Sequence, residues 1–113
     1  MSSIALADER DALVRCDLQA VALGRGAVVE TLNWEHLQSV SIEAQVQGDE
    51  RSLCWRLQGL GLRRCLIPFG LPGEVDLLQH LQRLDGFDVL AVADALCGSA
   101  AGRFICWRRE RTA

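Results

Sequence analysis

The chain of 113 residues contains no tyrosine and, because all twelve of its basic residues are arginines, no lysine. The absence of lysine is most simply explained by a genome rich in G and C, since lysine codons are A-rich. Only two prolines and two histidines are present, while half of the residues are hydrophobic. This composition excludes a disordered chain and leaves few groups for acid–base chemistry near neutral pH.

Long apolar runs and basic blocks are also missing. No run approaches the roughly 18 residues of a membrane span, and the N-terminal stretch SSIALADERDALV does not resemble a secretory signal, because it has no basic leader. We therefore expect a cytoplasmic protein. The small net charge of -3 and the shortness of the arginine-rich tail argue against contacts with a phosphate backbone, so nucleic acid is not an expected partner.

Five cysteines, an odd number, occur without the close pairs that are typical of zinc sites. They are Cys16, Cys54, Cys65, Cys97 and Cys106. We expect free thiols that pack as small hydrophobic side chains. The glycine-rich GSAAG lacks the lysine of a phosphate loop and follows a helix, which indicates a turn. No metal site, cofactor site or catalytic residue is predicted.

Alternating apolar and polar residues predict a series of β-strands in the first two thirds of the chain. The predicted strands cover residues 13–23, 27–34, 39–47, 51–58 and 62–69. Glycine-containing turns join them, except that a short connection without glycine, residues 35–38, joins the second strand to the third. The clearest strand is SVSIEAQVQ, in which four apolar residues alternate with polar ones and predict one buried face. These apolar residues are Val40, Ile42, Ala44 and Val46.

After Pro72 the apolar residues recur at helical spacing, which predicts two consecutive helices. The first has the stripe Val75, Leu77, Leu78, Leu81 and Leu84, and a stop at Gly86. The second has a cap at Asp88, the stripe Val89, Val92, Ala93 and Leu96, and an end at Gly98. The stretch RFICWRR then predicts a final strand that returns to a sheet edge.

Together these patterns predict one α+β domain over residues 1–113, with residues 1–12 as a loose N-terminal segment. Its core is a curved antiparallel sheet of about six strands in a meander, covered by two consecutive helices and completed by a C-terminal strand. Alanine at Leu78 or Leu81 is expected to be among the most destabilising substitutions.

The stretches LCWRL and ICWRR nearly repeat each other and place a cysteine beside a tryptophan. Because neighbouring side chains of a strand point to opposite faces, each pair cannot act together, and the repeat indicates two similar strands. Trp55 and Trp107 are predicted to fill the core, while Trp34 suits either the core or a binding surface. The candidate partner-binding residues are Trp34, His36, Arg56 and Arg64.

Several motifs resemble those of a loose group of small bacterial proteins with a pleckstrin-homology-like architecture. They are LNWEHLQSVSI, CWRLQG, CLIPFG, LQRLDGFD and RFICW. The resemblance implies a non-enzymatic module without catalytic residues. A standard pleckstrin-homology fold has seven strands and ends in a helix, whereas this sequence predicts fewer strands and a strand after the helices.

The preferred hypothesis is a non-enzymatic cytoplasmic interaction or adaptor module. It would bind another protein, or a second copy of itself, through a sheet edge or the surface near Trp34. An alternative is a small cysteine-dependent enzyme or thiol sensor that uses Cys54 or Cys65 with His36. A second alternative is a binder of apolar small molecules or lipids between the sheet and the helices.

Overall fold

The computed structural model describes residues 12–110, which form seven strands, two α-helices and one short 3-10 helix. The strands are β1 (Leu13–Cys16), β2 (Ala20–Arg25), β3 (Val28–Asn33), β4 (Ser39–Gln47), β5 (Glu50–Gln58), β6 (Arg64–Pro68) and β7 (Gly102–Arg108). The helices are α1 (Glu74–Gln82) and α2 (Val89–Cys97), and the 3-10 helix spans Trp34–His36. The predicted loose segment, residues 1–12, lies outside the described residues except for Ala12, which is buried.

The strands form two antiparallel sheets, one with the order β1-β2-β3 and one with the order β6-β5-β4-β7. The predicted α+β class and the C-terminal strand after the helices are confirmed. The prediction of a single curved sheet of about six strands is wrong. Within the described range, no backbone hydrogen bond joins β3 to β6, the edges at which the two sheets approach each other.

One local feature divides a strand that the sequence pattern joined, and a second divides the single sheet that the pattern predicted. Residues 13–23 form a hairpin because the Asp17 carboxylate accepts hydrogen bonds from the amides of Gln19 and Ala20, both at 2.8 Å. These backbone hydrogen bonds also hold the pKa of Asp17 below its ordinary value. The 3-10 helix then separates β3 from β4, so β4 begins the second sheet instead of extending the first.

One hydrophobic cluster joins both sheets and both helices. Val40, Ile42 and Ala44 of β4 are buried, as the alternation predicts. The predicted burial of Val46 is wrong. This residue is 45% exposed because it lies beside the β4–β5 turn, past the last core residue of the strand. Trp55 is buried in the core, as predicted.

Helix α1 covers the core with Leu77 and Leu81, which are fully buried, while Leu78 is half-buried. Val75 belongs to the same predicted stripe but is 71% exposed, so its predicted burial is wrong. The helix begins after Gly73, which has a φ of 94°. A Cβ at that position would overlap the carbonyl oxygen of Val14, so this close approach requires glycine.

Helix α2 has the predicted cap and the predicted end, but its buried face is different. The Asp88 carboxylate accepts hydrogen bonds from the amides of Leu90 and Ala91, and Gly98 ends the helix. Ala95 is the fully buried residue of α2, whereas Leu96 of the predicted stripe is 57% exposed. A short helix that packs against β7 through a small residue leaves its larger side chains outside.

The other three residues of the predicted α2 stripe are not fully buried either. Val89 and Ala93 are exposed and Val92 is half-buried, so the predicted burial of the stripe is wrong. Within residues 12–110, no helix combines the length and the apolar character that crossing a bilayer requires.

Candidate functional site

The outer face of the four-stranded sheet, opposite the core, carries a concave surface rich in arginine. We name it the arginine trough, and its residues are Ser39, Ser41, Arg56, Gln58, Arg103, Ile105 and Arg108. The trough encloses about 150 Å³ and spans three adjacent strands, β5, β4 and β7.

Strand register explains why this surface is concave. Ser41 of the central strand β4 lies between Arg56 of β5 and Ile105 of β7. In the next rung, Ser39 lies between Gln58 and Arg108. Because the central side chains are short and the flanking ones are long, the flanking side chains form two walls and the serines form the floor.

A β-bulge in β7 is necessary for this arrangement. Val40 pairs with Trp107, but the next residue of β4, Ser41, pairs with Ile105, so Cys106 is the extra residue. The bulge shifts the alternation of β7 by one position. As a result, Arg103 and Arg108 point to the same face although they lie five residues apart, which regular alternation would place on opposite faces.

Glu43 closes one end of the trough and pairs with two of its arginines. Nη1 of Arg56 donates to Oε1 of Glu43 at 3.2 Å, and Nη2 of Arg103 donates to Oε2 at 3.4 Å. Partial burial opposes ionisation of this carboxyl, but the two arginines outweigh it and hold the pKa of Glu43 below its ordinary value. Arg108 has no acidic partner among the described residues, so the trough carries an excess of positive charge.

The four residues that the sequence proposed as partner-binding occupy two different regions. Arg56 forms part of the trough, and Arg64 pairs with Gln58 on the same sheet face, where it is exposed. Trp34 and His36 are half-buried in the 3-10 helix and do not line the trough. The structure therefore brings the two arginines together and leaves the aromatic pair elsewhere.

Trp34 has contacts that hold the chain together. Its Nε1 donates to the carbonyl of Asp17 at 2.8 Å, and its ring stacks on His80 with centroids 5.6 Å apart. Arg109 also donates to the carbonyl of Trp34 at 3.2 Å. This tryptophan joins the β1–β2 turn to α1 and offers only part of its surface to a partner.

Sequence reasoning missed most of the trough. The alternation in SVSIEAQVQ predicts a solvated face that includes Ser39 and Ser41, but nothing in the sequence relates Arg103 and Arg108 to these serines. The sequence signal that was available is the alternation of short polar side chains in β4. The bulge that completes the site depends on how β7 pairs with β4 and leaves no signal in its sequence.

The five cysteines are free thiols: Cys65 and Cys106 are buried, Cys16 and Cys54 are half-buried, and Cys97 is exposed. Burial raises the pKa of Cys65 to about 12 and that of Cys106 to about 11. Burial, with the nearby charge of Glu43, also raises the pKa of Cys54. No hydrogen bond joins His36 to a thiol among the described residues, and within the same range no group of metal-ligating side chains occurs.

A second concave surface of about 200 Å³ lies between α1, α2 and the edge of the four-stranded sheet, and it is mainly apolar. We name it the apolar groove, and its residues are Trp55, Phe69, Glu74, Val75, Leu78, Val92 and Leu96. Trp55 stacks on Phe69 with centroids 5.0 Å apart, and its Nε1 donates to Oε2 of Glu74 at 3.0 Å.

At the edge strands of both sheets, some backbone groups form hydrogen bonds with other parts of the same chain. The amide of Val14 in β1 donates to the carbonyl of Pro72 at 2.8 Å, and the carbonyl of Cys106 in β7 accepts from the amide of Asp88 at 2.8 Å. Strand β3 pairs only with β2, and its first four residues are exposed. Strand β6 likewise pairs only with β5, and the edges of β3 and β6 approach each other. Among the described strands, the exposed first residues of β3 are therefore the part of these edges best placed for strand addition.

Comparison of the chain with protein-family models, with curated proteins and with solved structures finds no match. Function must therefore be inferred from the geometry and charge of the chain itself.

Proposed function

We propose that this chain is a non-enzymatic cytoplasmic interaction module and that its arginine trough binds an acidic segment of a partner protein. The observation that carries the proposal is the convergence of Arg56, Arg103 and Arg108 on one concave surface with an incomplete complement of carboxylates. A net charge of -3 for the whole chain makes this local excess of positive charge distinctive.

The chemistry of the trough favours binding over catalysis. Guanidinium groups present planar arrays of donors that match carboxylate or phosphate oxygens. The serine hydroxyls on the floor can donate further hydrogen bonds. Neither histidine nor cysteine is among the residues that line the trough, so its lining offers no group that would exchange a proton near neutral pH.

Two variants with the same change in charge test this proposal. Arg103→Glu/Arg108→Glu reverses the trough, while Arg15→Glu/Arg83→Glu reverses two exposed arginines outside it. Both variants and the unmodified chain would be used as bait, with cross-linking and quantitative mass spectrometry of the recovered proteins. We expect the same partners with the unmodified chain and the control variant, and their loss with the trough variant.

Recovery of an identical set of proteins with all three baits would contradict the proposal. Circular dichroism of each variant checks that the fold is retained, which we expect because these four side chains are exposed and lie outside the core.

The relation to pleckstrin-homology-like proteins stays a prediction. Seven strands favour it, whereas β7, which follows the helices, departs from the standard order. Self-association through a sheet edge also stays a prediction, and sedimentation of the chain at several concentrations would detect it.

A second candidate function is supported by the apolar groove. We propose that this groove can bind an apolar small molecule, such as a short acyl chain, because aromatic and aliphatic side chains line most of it. Native mass spectrometry of the purified chain would show a bound mass that Leu78→Glu abolishes. A chain that carries no bound mass and binds no added fatty acid would contradict this candidate.

A further inference from the structure

The charge of the arginine trough indicates what kind of anion it binds. Three guanidinium groups lie with one carboxylate, so two positive charges are unneutralised among the described residues. One partner carboxylate would neutralise half of that excess, whereas a phosphate monoester carries about 1.5 to 2 negative charges near pH 7. We propose that the trough binds the phosphate monoester of a phosphorylated side chain on a partner protein, an inference that rests on the proposed function.

The donors of the trough also suit a tetrahedral anion. The guanidinium of Arg108 makes no hydrogen bond to the described residues, and Arg103 commits only Nη2, in a long hydrogen bond of 3.4 Å to Glu43. The walls and the floor therefore approach a bound group from three directions. Phosphate offers three acceptor oxygens, so arginines of β5 and β7 and a serine hydroxyl of β4 can each donate to a different oxygen.

Glu43 has two opposing effects on this site. Its carboxylate holds Arg56 and Arg103 beside the trough, and it also competes with an incoming phosphate for the same guanidinium groups. Glutamine at this position would retain an acceptor oxygen but remove the negative charge. We therefore expect Glu43→Gln to bind phosphate more tightly than the unmodified chain.

A protein-borne phosphate fits this chain better than a lipid headgroup. The net charge of the chain is -3, so an anionic bilayer would repel much of the molecule. A single phosphate on a flexible peptide interacts mainly with the arginines of the trough. Salt screens its interaction with more distant charges of the chain, because the screening length is about 8 Å at physiological ionic strength.

The test is calorimetric titration of the full chain with two short peptides that are identical except for a central phosphoserine or glutamate. We expect the phosphoserine peptide to bind about tenfold more tightly, because phosphate offers one more acceptor oxygen than a carboxylate and carries more negative charge. Arg103→Gln and Arg108→Gln should each weaken its binding by about tenfold. The control Arg83→Gln, at an exposed residue outside the trough, should not change it.

The outcomes separate this inference from the proposed function. Equal, arginine-dependent binding of both peptides would overturn the phosphate inference and leave the proposed function intact. If neither peptide binds, the phosphate inference is also overturned. The proposed function is then still decided by the proteins that the unmodified chain and the two double variants recover. Tighter binding of inorganic phosphate, or of vesicles that contain phosphatidic acid, would overturn the assignment to a protein partner.

The pH dependence of binding provides a second readout. The second ionisation of a phosphate monoester has a pKa of about 6, so affinity for the phosphoserine peptide should fall between about pH 7.5 and about pH 5. The glutamate peptide should show no comparable loss. The trough itself keeps its charge in this range, because Glu43 has a lowered pKa and the neighbouring Cys54 thiol has a raised pKa. Guanidinium groups in proteins are cationic throughout this range. Loss of affinity for both peptides in parallel would contradict the inference.

Discussion

The two faces of the four-stranded sheet are built from the same strands but have different roles. On the core face, Val40, Ile42 and Leu57 are fully buried. On the outer face, the alternate residues Ser39, Ser41 and Arg56 line an open trough. Packing constrains the apolar side chains of the first face. On the second face Ser41 is also buried, but Arg103 and Arg108 are exposed and can change with little effect on the fold, so these positions are free to be selected for binding.

The energies of the two faces differ accordingly. Each large side chain buried on the core face contributes about 1.5 to 3 kcal/mol to folding. An exposed ion pair, such as that between Glu43 and Arg103, contributes about 0 to 1 kcal/mol. The stability of the fold therefore depends mainly on the core face. Substitutions on the outer face are better tested by measuring binding than by measuring stability.

Thiol reactivity should show the largest difference, because Cys54 lies on the outer face and Cys65 on the core face of the neighbouring strand. Raising the pKa of Cys65 from 9.0 to about 12 lowers its thiolate fraction by about a thousandfold. We expect iodoacetamide to label the exposed Cys97 first, Cys54 more slowly, and Cys65 and Cys106 only after unfolding. Peptide mapping by mass spectrometry measures the order.

Rapid labelling of native Cys54 or Cys65 that is lost in His36→Ala would contradict this order. That result would favour the alternative hypothesis of a cysteine-dependent enzyme or thiol sensor.

Core coverage by α1 can be tested with two leucines that are three residues apart. Leu81 is fully buried and Leu78 is half-buried at the apolar groove. We expect Leu81→Ala to lower the free energy of unfolding by about 3 to 5 kcal/mol and Leu78→Ala by about half as much. Urea denaturation measures both values, and equal losses would contradict the observed orientation of α1.

Adjacent residues of β4 allow the most direct comparison of the faces. Ile42→Ala on the core face should lower the free energy of unfolding by about 2 to 4 kcal/mol. Ser41→Ala on the outer face should change it by no more than about 1 kcal/mol, because Ser41 is buried but its hydroxyl makes no hydrogen bond to a described residue, and the substitution leaves no large cavity. A Ser41 variant as unstable as the Ile42 variant would show that the trough also supports the fold.

The smallest expected effect concerns Glu43 and pH. Because the pKa of this carboxyl is lower in the folded chain than in the unfolded chain, its ion pairs stabilise the fold fully above the unfolded pKa. That contribution, at most about 1 kcal/mol, is lost as the pH falls through the folded pKa. The difference in stability between the unmodified chain and Glu43→Gln should therefore be present at pH 7 and vanish in acid. A difference that persists in acid would indicate a packing effect.

Local patterns predicted much of the fold, because the signals that set it are local. The alternation in residues 39–47 matches β4, and the cap at Asp88 matches the start of α2. The Asp17 turn was missed because its side chain interrupts an alternation that otherwise continues. The stripe of α2 was wrong because helical spacing shows which residues share a face but not whether another element covers that face.

The candidate site was harder to predict. Arg56 was selected from its sequence, but its companions come from β7, about fifty residues further along the chain. Trp34 and His36 were selected for expected exposure, and Trp34 instead stacks on His80 of α1. Exposure and side-chain partners depend on distant parts of the chain, so no local pattern reports them.

The amino-acid sequence by itself determined the α+β class, most strand and helix positions and the apolar faces, because backbone periodicity and capping act between near neighbours. Only the tertiary structure decided the division into two sheets and the assembly of the arginine trough. The bulge at Cys106 depends on how β7 pairs with β4, and a shift of one position in that pairing determines whether Arg103 and Arg108 share a face.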